Sequence, residues 1–279
     1  MVAPVVAGLH ARGVDVEQIC GRDNAESLDL CRKAVAAGTS AVVAVGGDGT
    51  VHLALQAVAG ASTPLGIIPV GTGNDFAAAV GVPSDTAAAM DVIAAGRTRV
   101  VDAVRATDDA GLEQWWACVL GAGFDSAVNE RANRMRWPRG PRRYDLAIFA
   151  ELLRLKPRPF VLEVDGRREE VTATFIAVGN APAYGGGMRI APAADLTDGL
   201  LDVVVVGAVS RTEMVRMKPS VYTGAHVEHP AVTTSRGSVV RLESAGAVAY
   251  ADGERLAALP VTSHCVPRAL SVLAGVDGP

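Results

Sequence analysis

Ala41-Val42-Val43-Ala44-Val45 runs without a break into Gly46-Gly47-Asp48-Gly49-Thr50, and downstream Leu65-Gly66-Ile67-Ile68 leads to Gly71-Thr72-Gly73-Asn74-Asp75. Each apolar run has the length and β-branched content of a buried strand, and each ends in a glycine-rich turn that opens a helical pattern, with Val51, Leu55 and Val58 on one face after the first. Strand, glycine turn and helix in succession is the texture of a parallel sheet covered by helices. Upstream, residues 14–19 alternate apolar and polar side chains and are expected to form a strand. Asp23 or Asn24 then caps a helix running to Ala37, with Ala25, Leu28, Cys31 and Val35 on one face and Gly38 as its stop.

Downstream, the texture turns β-rich from about Arg99. Residues 100–105 and 114–120 flank Asp108-Asp109-Ala110-Gly111 as a hairpin, and residues 160–164 and 169–178 flank Asp165-Gly166 in the same way. Further strands are expected at 200–206, 239–243, 248–251 and 261–266, and only two helical stretches interrupt, at 125–135 and 143–155. The predicted architecture is α/β plus β. Residues 1–100 form a Rossmann-like parallel-sheet domain carrying the Gly46–Thr50 loop, residues 101–279 form a β-sandwich or flattened barrel, and the active site lies in the cleft between them.

Of the 279 residues 49% are hydrophobic and 20% charged, a balance that excludes a disordered chain. The net charge of −4 provides no global basic field, so nucleic acid is not an expected partner. No apolar run reaches the roughly 18–20 residues needed to span a bilayer, and residues 1–9 lack the basic start of a signal peptide, so a cytoplasmic protein is expected. Cys20, Cys31, Cys118 and Cys265 are scattered without metal-type spacing, which suits a reducing compartment. His226 and His229 stand three apart with no cysteine nearby, a pattern that favours core or surface roles over metal.

The two glycine loops carry the chemistry. Consecutive glycines let a polyphosphate approach the main chain, whose N–H groups and following helix N-terminus offer positive ends. Asp48 within such a loop would repel bare phosphate, and a magnesium ion between carboxylate and nucleotide resolves the conflict. Alone, Gly-Gly-Asp-Gly is more commonly a tight turn capping a helix. The second loop, at the end of the neighbouring strand, makes the phosphate reading the stronger one, because ligands of open α/β sheets sit beyond the carboxyl ends of strands. Neither loop is followed by Lys-Ser/Thr, which excludes a Walker loop.

With Pro69-Val70 before it and Phe76 after it, the second loop joins the first as a pair, GGDGT and PVGTGNDF, that resembles the diacylglycerol kinase catalytic-domain family of soluble bacterial diacylglycerol kinases and sphingosine kinase-like lipid kinases. The likeness continues, in order, through Val101-Asp102, Gly121-Ala122-Gly123-Phe124-Asp125, Gly179-Asn180, Ile190-Ala191-Pro192, Asp198-Gly199-Leu200-Leu201-Asp202, Asp252-Gly253-Glu254 and Pro267-Arg268-Ala269-Leu270. The resemblance implies ATP-dependent phosphorylation of a lipid hydroxyl, diacylglycerol foremost. It places ATP against Gly46, Gly47, Asp48, Gly49, Thr50, Val51 and His52, with Gly71, Thr72, Gly73, Asn74 and Asp75 from the second loop. It further implies magnesium organised by Asp48, Asp75 and Asp102, a structural magnesium on the Asp198 side chain and the main-chain carbonyls of Asp195 and Leu200, and Glu254 as general base beside Asp48. A carboxylate next to an Asp-Gly turn between strands is well held for accepting a proton, although alone such a turn is more commonly just a hairpin.

Relatives in this family open with a strand and an Asn-Pro and glycine loop. This sequence starts with what corresponds to the tail of the following helix, so either its true start lies upstream or the N-terminal domain folds with its first strand missing. His52-Leu53 also stands where many relatives have Asn-Glu. Between Arg131 and Arg143 lie Arg134, Arg136, Arg139 and Arg142 with Met135 and Trp137, the most basic stretch of the chain. Peripheral contact there with an anionic inner membrane surface and a solvated surface making internal ion pairs are both open readings. A homodimer is also compatible with the sequence. Two other functions compete: an NAD kinase-like phosphotransferase, which shares the first loop but not GTGND or the late Glu254, and a catalytically impaired lipid-binding or regulatory homologue.

Overall fold

The computed structural model describes residues 2–135 and 141–275, of which 141–145 by main chain alone. Its contacts divide the chain into two compact units that are not consecutive in sequence: one runs to Ala103 and takes in Leu196–Gly199 and the segment from Val266, and the other comprises Val104–Asp195 and Leu200–Cys265.

The first unit contains α1 (Val2–His10), α2 (Asn24–Ala36), β1 (Val42–Gly46), α3 (Asp48–Val58), β2 (Leu65–Pro69), α4 (Asp75–Ala79), α5 (Thr86–Ala95) and the start of β3 (Thr98–Asp108). Strands β1 and β2 pair in parallel from Val42↔Leu65 to Gly46↔Pro69, so both chains leave the sheet at the same level. All five residues of β2 are buried, the pattern of a central parallel strand. Helix α2 begins as its sequence dictates, with the Asp23 carboxylate accepting from the Glu26 amide at 2.8 Å. Helix α5 starts on Asp85 in the same way and stops at Gly96, whose φ of 65° a side chain would strain.

Residues 14–19 form no strand. Val14 and Val16 are half-buried as the alternation requires, but an extended segment becomes a strand only with a bonded neighbour, and among the described residues β1 pairs β2 alone. The expected buried face of α2 is likewise only half-covered, since none of its residues is fully buried.

The second unit holds the rest of β3, then β4 (Glu113–Trp116), β5 (Val119–Gly123), α6 (Phe124–Arg134), α7 (Pro141–Leu153), β6 (Arg158–Val164), β7 (Arg167–Gly179), β8 (Leu201–Gly207), α8 (Arg211–Thr223), β9 (Val232–Gly237), β10 (Val239–Glu243), β11 (Val248–Ala251), β12 (Glu254–Ala258) and the start of β13 (Val261–Leu273). Its strand order is β13-β10-β6-β7-β5-β11-β12, with β8 branching from β7 and β9 from β8, all antiparallel. The first half of β7 is largely exposed, whereas its last seven residues are buried on both faces, where β5 and β8 flank it. Trp116, Phe160, Leu162, Ile176, Leu201 and Leu242 anchor one continuous core, while Val128, Ala132 and Ala147 join α6 to α7 in a small satellite.

Three expectations are corrected here. The strand expected over 114–120 is two, broken at Ala117-Cys118, whose amides are drawn to the Asp252 carboxylate at 2.8 Å each. A further helix, α8, joins the two expected ones; its Ser210/Glu213 capping box is legible in the sequence, but Pro219 inside it and a single buried residue, Met217, hid the periodicity. Strand β13 extends far beyond residue 266, although Pro267 removes a ladder donor and Arg268 takes a left-handed φ of 57°.

Candidate active site

The two glycine loops meet. A Cβ on Gly71 would lie 2.5 Å from the Gly47 Cα, so only a glycine pair allows the backbones to touch. Asp48, the first residue of α3, joins them chemically: its Oδ1 accepts from the Asp75 amide and its Oδ2 from the Asn74 amide, both at 2.8 Å. The carboxylate of one helix start thus serves as the N-terminal cap of the next helix, α4. Asn74 closes the second loop on itself, accepting from the Gly71 amide and donating to the Gly71 carbonyl, in a left-handed conformation (φ 59°) that asparagine tolerates. A Cβ on Gly73 would sit 2.4 Å from Asp48 Oδ2, and one on Gly46 2.1 Å from Thr50 Oγ1. The glycines are therefore demanded by contacts within the protein, before any phosphate is considered.

The pair presents an anion-receptive end. Helix α3 begins at Gly47 with no side-chain cap, leaving its first amides to other partners. Gly49, Thr50, Gly71, Thr72 and Gly73 are exposed, Asp75 and His52 are half-buried, and Val51 is buried under the loop.

Asp102 is placed differently. Only 1% exposed, it accepts from the Gly199 amide (Oδ2) and the Arg268 amide (Oδ1), both at 2.7 Å, and its own amide donates to the Leu196 carbonyl. It is the clamp that binds Leu196–Gly199 and the late strand into the first unit. Asp195 and Asp198 are exposed on the turn around Gly199 (φ 74°), and Leu200 is half-buried. Among the described residues no three of His, Cys, Asp and Glu gather into a metal-type cluster.

In the second unit Asp252 and Gly253 both have positive φ (52° and 81°), the geometry of a two-residue type I′ hairpin between β11 and β12. Asp252 pins this turn to Ala117 and Cys118, leaving Glu254 exposed at the first position of β12. Its neighbour Arg255 bonds Glu130 of α6, which also accepts from the Tyr250 hydroxyl, both at 3.0 Å. Burial pushes the Glu130 carboxyl up, but these bonds and the Arg134 charge outweigh it and hold the group below the usual range. Glu130 is thus committed to bracing the hairpin. Sequence reasoning missed that role, for which charge and helix position gave no signal.

Asp125 opens α6 after Gly123, whose φ of 101° only glycine holds comfortably. The residue keeps some accessible surface, but its carboxyl lies deep in protein, and burial pushes it up to about 6 even though the Tyr184 hydroxyl donates to it. Of the basic stretch, Arg131 pairs with Glu151 and Arg134 with Glu130, whereas Arg136, Trp137, Arg139, and the side chains of Arg142 and Arg143 lie outside the described residues.

The family described as the diacylglycerol kinase catalytic domain matches residues 2–106, and the YegS C-terminal NAD kinase beta sandwich-like domain matches residues 118–274. A protein of Mycobacterium tuberculosis named diacylglycerol kinase is 48% identical over 270 residues, covering 96% of this chain and 87% of that protein. The fold is shared with a crystal structure of a diacylglycerol kinase from Bacillus anthracis (TM-score 0.74, 18% identity, 100% of this chain and 93% of that one). It is shared more distantly with an NAD kinase from Archaeoglobus fulgidus in complex with ATP (TM-score 0.55, 13% identity, 99% and 90%). With both halves matched and a near-full-length relative at 48% identity, the chain belongs to the diacylglycerol kinase family and is a lipid kinase.

Proposed function

We propose that the chain transfers the γ-phosphoryl group of ATP to the free hydroxyl of diacylglycerol, forming phosphatidic acid and ADP. The observation that carries the reading is the Asp48 bridge, which fixes two glycine loops and two helix starts as one surface, in a chain so similar to a protein named diacylglycerol kinase. The loop from Gly46 to Thr50, through the amides that open α3, and the Thr72 hydroxyl bind the phosphates, with Val51 and His52 behind them and Gly71, Gly73, Asn74 and Asp75 shaping the second wall. The lipid hydroxyl oxygen attacks the γ-phosphorus in line with the bridging oxygen that leaves on ADP, and the hydroxyl proton passes to the Glu254 carboxylate. Glu254 suits that role because it is exposed on a pinned hairpin.

Two donor sets fit magnesium: Asp75 beside Asp48, whose amide-bonded oxygens each keep a second lone pair, and, separately, the exposed Asp198 side chain with the Asp195 and Leu200 carbonyls, all hard oxygens. Magnesium bound there would neutralise phosphate charge and brace the Asp195–Leu200 turn. Asp102, with both oxygens taken by amides, holds the frame on which these groups stand. Among the described residues no helix is long and apolar enough to cross a membrane, and we place the enzyme in the cytoplasm, meeting its lipid transiently at the inner membrane surface.

The test is incubation of the chain with labelled ATP and separate acceptors: diacylglycerol, a sphingoid base, ceramide and NAD. Labelled phosphatidic acid is the expected product. Product from NAD alone would move the assignment to the NAD kinases whose fold it shares, and vesicle binding without turnover of any acceptor would make it a regulatory homologue.

A further inference from the structure

Helix α7 is apolar on two sides. Ala147 and Ile148 face the satellite cluster with Val128 and Ala132 of α6, which accounts for one side. On the other, Leu146, Phe149 and Leu153 are 44%, 59% and 52% exposed. These positions are three and four apart, so they fall within an arc of about 60° and form one stripe. Among the described residues only seven large hydrophobics are exposed, so three on one helix face is a concentration rather than scatter.

The charges beside the stripe say what covers it. Arg154, Lys156 and Arg158 follow directly and are all exposed, whereas Glu151, the one acid between Leu146 and Arg158, is turned to Arg131. The chain as a whole carries −4, so this local positive field runs against the global one. A second copy of the same face would set these cations against each other across a two-fold axis. An apolar stripe flanked by long cationic side chains matches instead the interface of an anionic bilayer, where the stripe enters the acyl boundary and the cations reach the headgroups.

We propose that α7 is the membrane-seating element of this lipid kinase, with Leu146, Phe149 and Leu153 inserted among acyl chains and Arg154, Lys156 and Arg158 at headgroup level. The inference rests on the reading that the substrate is a bilayer lipid. It assigns docking to a surface that takes no part in phosphoryl transfer, so the two can fail separately.

The experiment is flotation of the full chain with vesicles of phosphatidylcholine alone or equimolar with phosphatidylglycerol, beside turnover of a short-chain diacylglycerol dispersed without a bilayer. The wild type should float with the anionic vesicles. The triple variant Leu146→Gln/Phe149→Gln/Leu153→Gln and the double reversal Arg154→Glu/Lys156→Glu should each lose on the order of ten- to a hundredfold in partition. Both should keep wild-type turnover of the dispersed substrate, and only the second loss should be mimicked by salt. Unchanged flotation of both variants overturns the proposal, as does a triple variant that floats normally but loses a solution dimer in sedimentation velocity. Absence of turnover with any lipid, together with stripe-dependent flotation, would sink the kinase assignment and leave the docking surface standing.

Discussion

Asp102 invites the substitution Asp102→Asn, which keeps shape and removes charge. The carboxylate is 1% exposed and each oxygen accepts one amide at 2.7 Å, from Gly199 and from Arg268. Asparagine offers one acceptor and turns an N–H₂ toward the other amide. One charge-assisted bond is lost, its buried donor is stranded, and the other bond falls to neutral strength, together about 3 kcal/mol. For a protein of this size that corresponds to a melting temperature lower by roughly 6–12 °C. The assay is thermal unfolding by circular dichroism with and without magnesium and ATP. The deficit should appear equally in both conditions, because the clamp ties Leu196–Gly199 and Arg268 to β3 whatever is bound. An unchanged melting temperature with collapsed turnover would refute this reasoning and make Asp102 a direct participant in the metal site.

Gly71→Ala places a Cβ 2.5 Å from the Gly47 Cα, forces the loops apart and should weaken ATP binding about tenfold by calorimetry, on the scale of small misplacements in a phosphate site. Asp198→Ala should abolish the rise in melting temperature that magnesium gives the wild type; a retained rise would move that metal elsewhere. Asp125 has a folded value of about 6 against 3.8, so the fold favours its protonated form. That contribution is complete below pH 3.8 and is lost as pH rises through about 6. Asp125→Asn should therefore stabilise the protein by up to about 3 kcal/mol near pH 7, with the gain vanishing near pH 4 in a series of melting curves.

Much of the fold was legible because local and tertiary signals agreed. The runs before Gly46 and Gly71 became β1 and β2, and the Asp-Gly pairs at 165–166 and 252–253 became tight hairpins with both residues at positive φ. Residues 14–19 failed because alternation specifies a face but cannot supply a partner strand. Helix α8 escaped because Pro219 and a mostly exposed surface erase the stripe that betrays a helix. In the candidate site, GGDGT and GTGND marked two loops that the fold brings into contact. The sequence could not tell that Asp48 spends both oxygens on the amides of the second loop, or that Asp102 secures distant segments, because both depend on backbone donors far away in the chain. Tyr184, whose side-chain hydroxyl bonds Asp125 from a distant part of the chain, carried no signal either.

The most direct test of the account is Glu254→Gln, measured as kcat on diacylglycerol alongside ATP affinity and melting temperature. Glu254 is exposed at the start of β12, so the substitution should leave stability and ATP binding at wild-type values while kcat falls by roughly 10²–10⁴, the scale of losing a general base. Wild-type kcat in this variant would contradict the central claim, because the proton of the attacking hydroxyl would then have another acceptor.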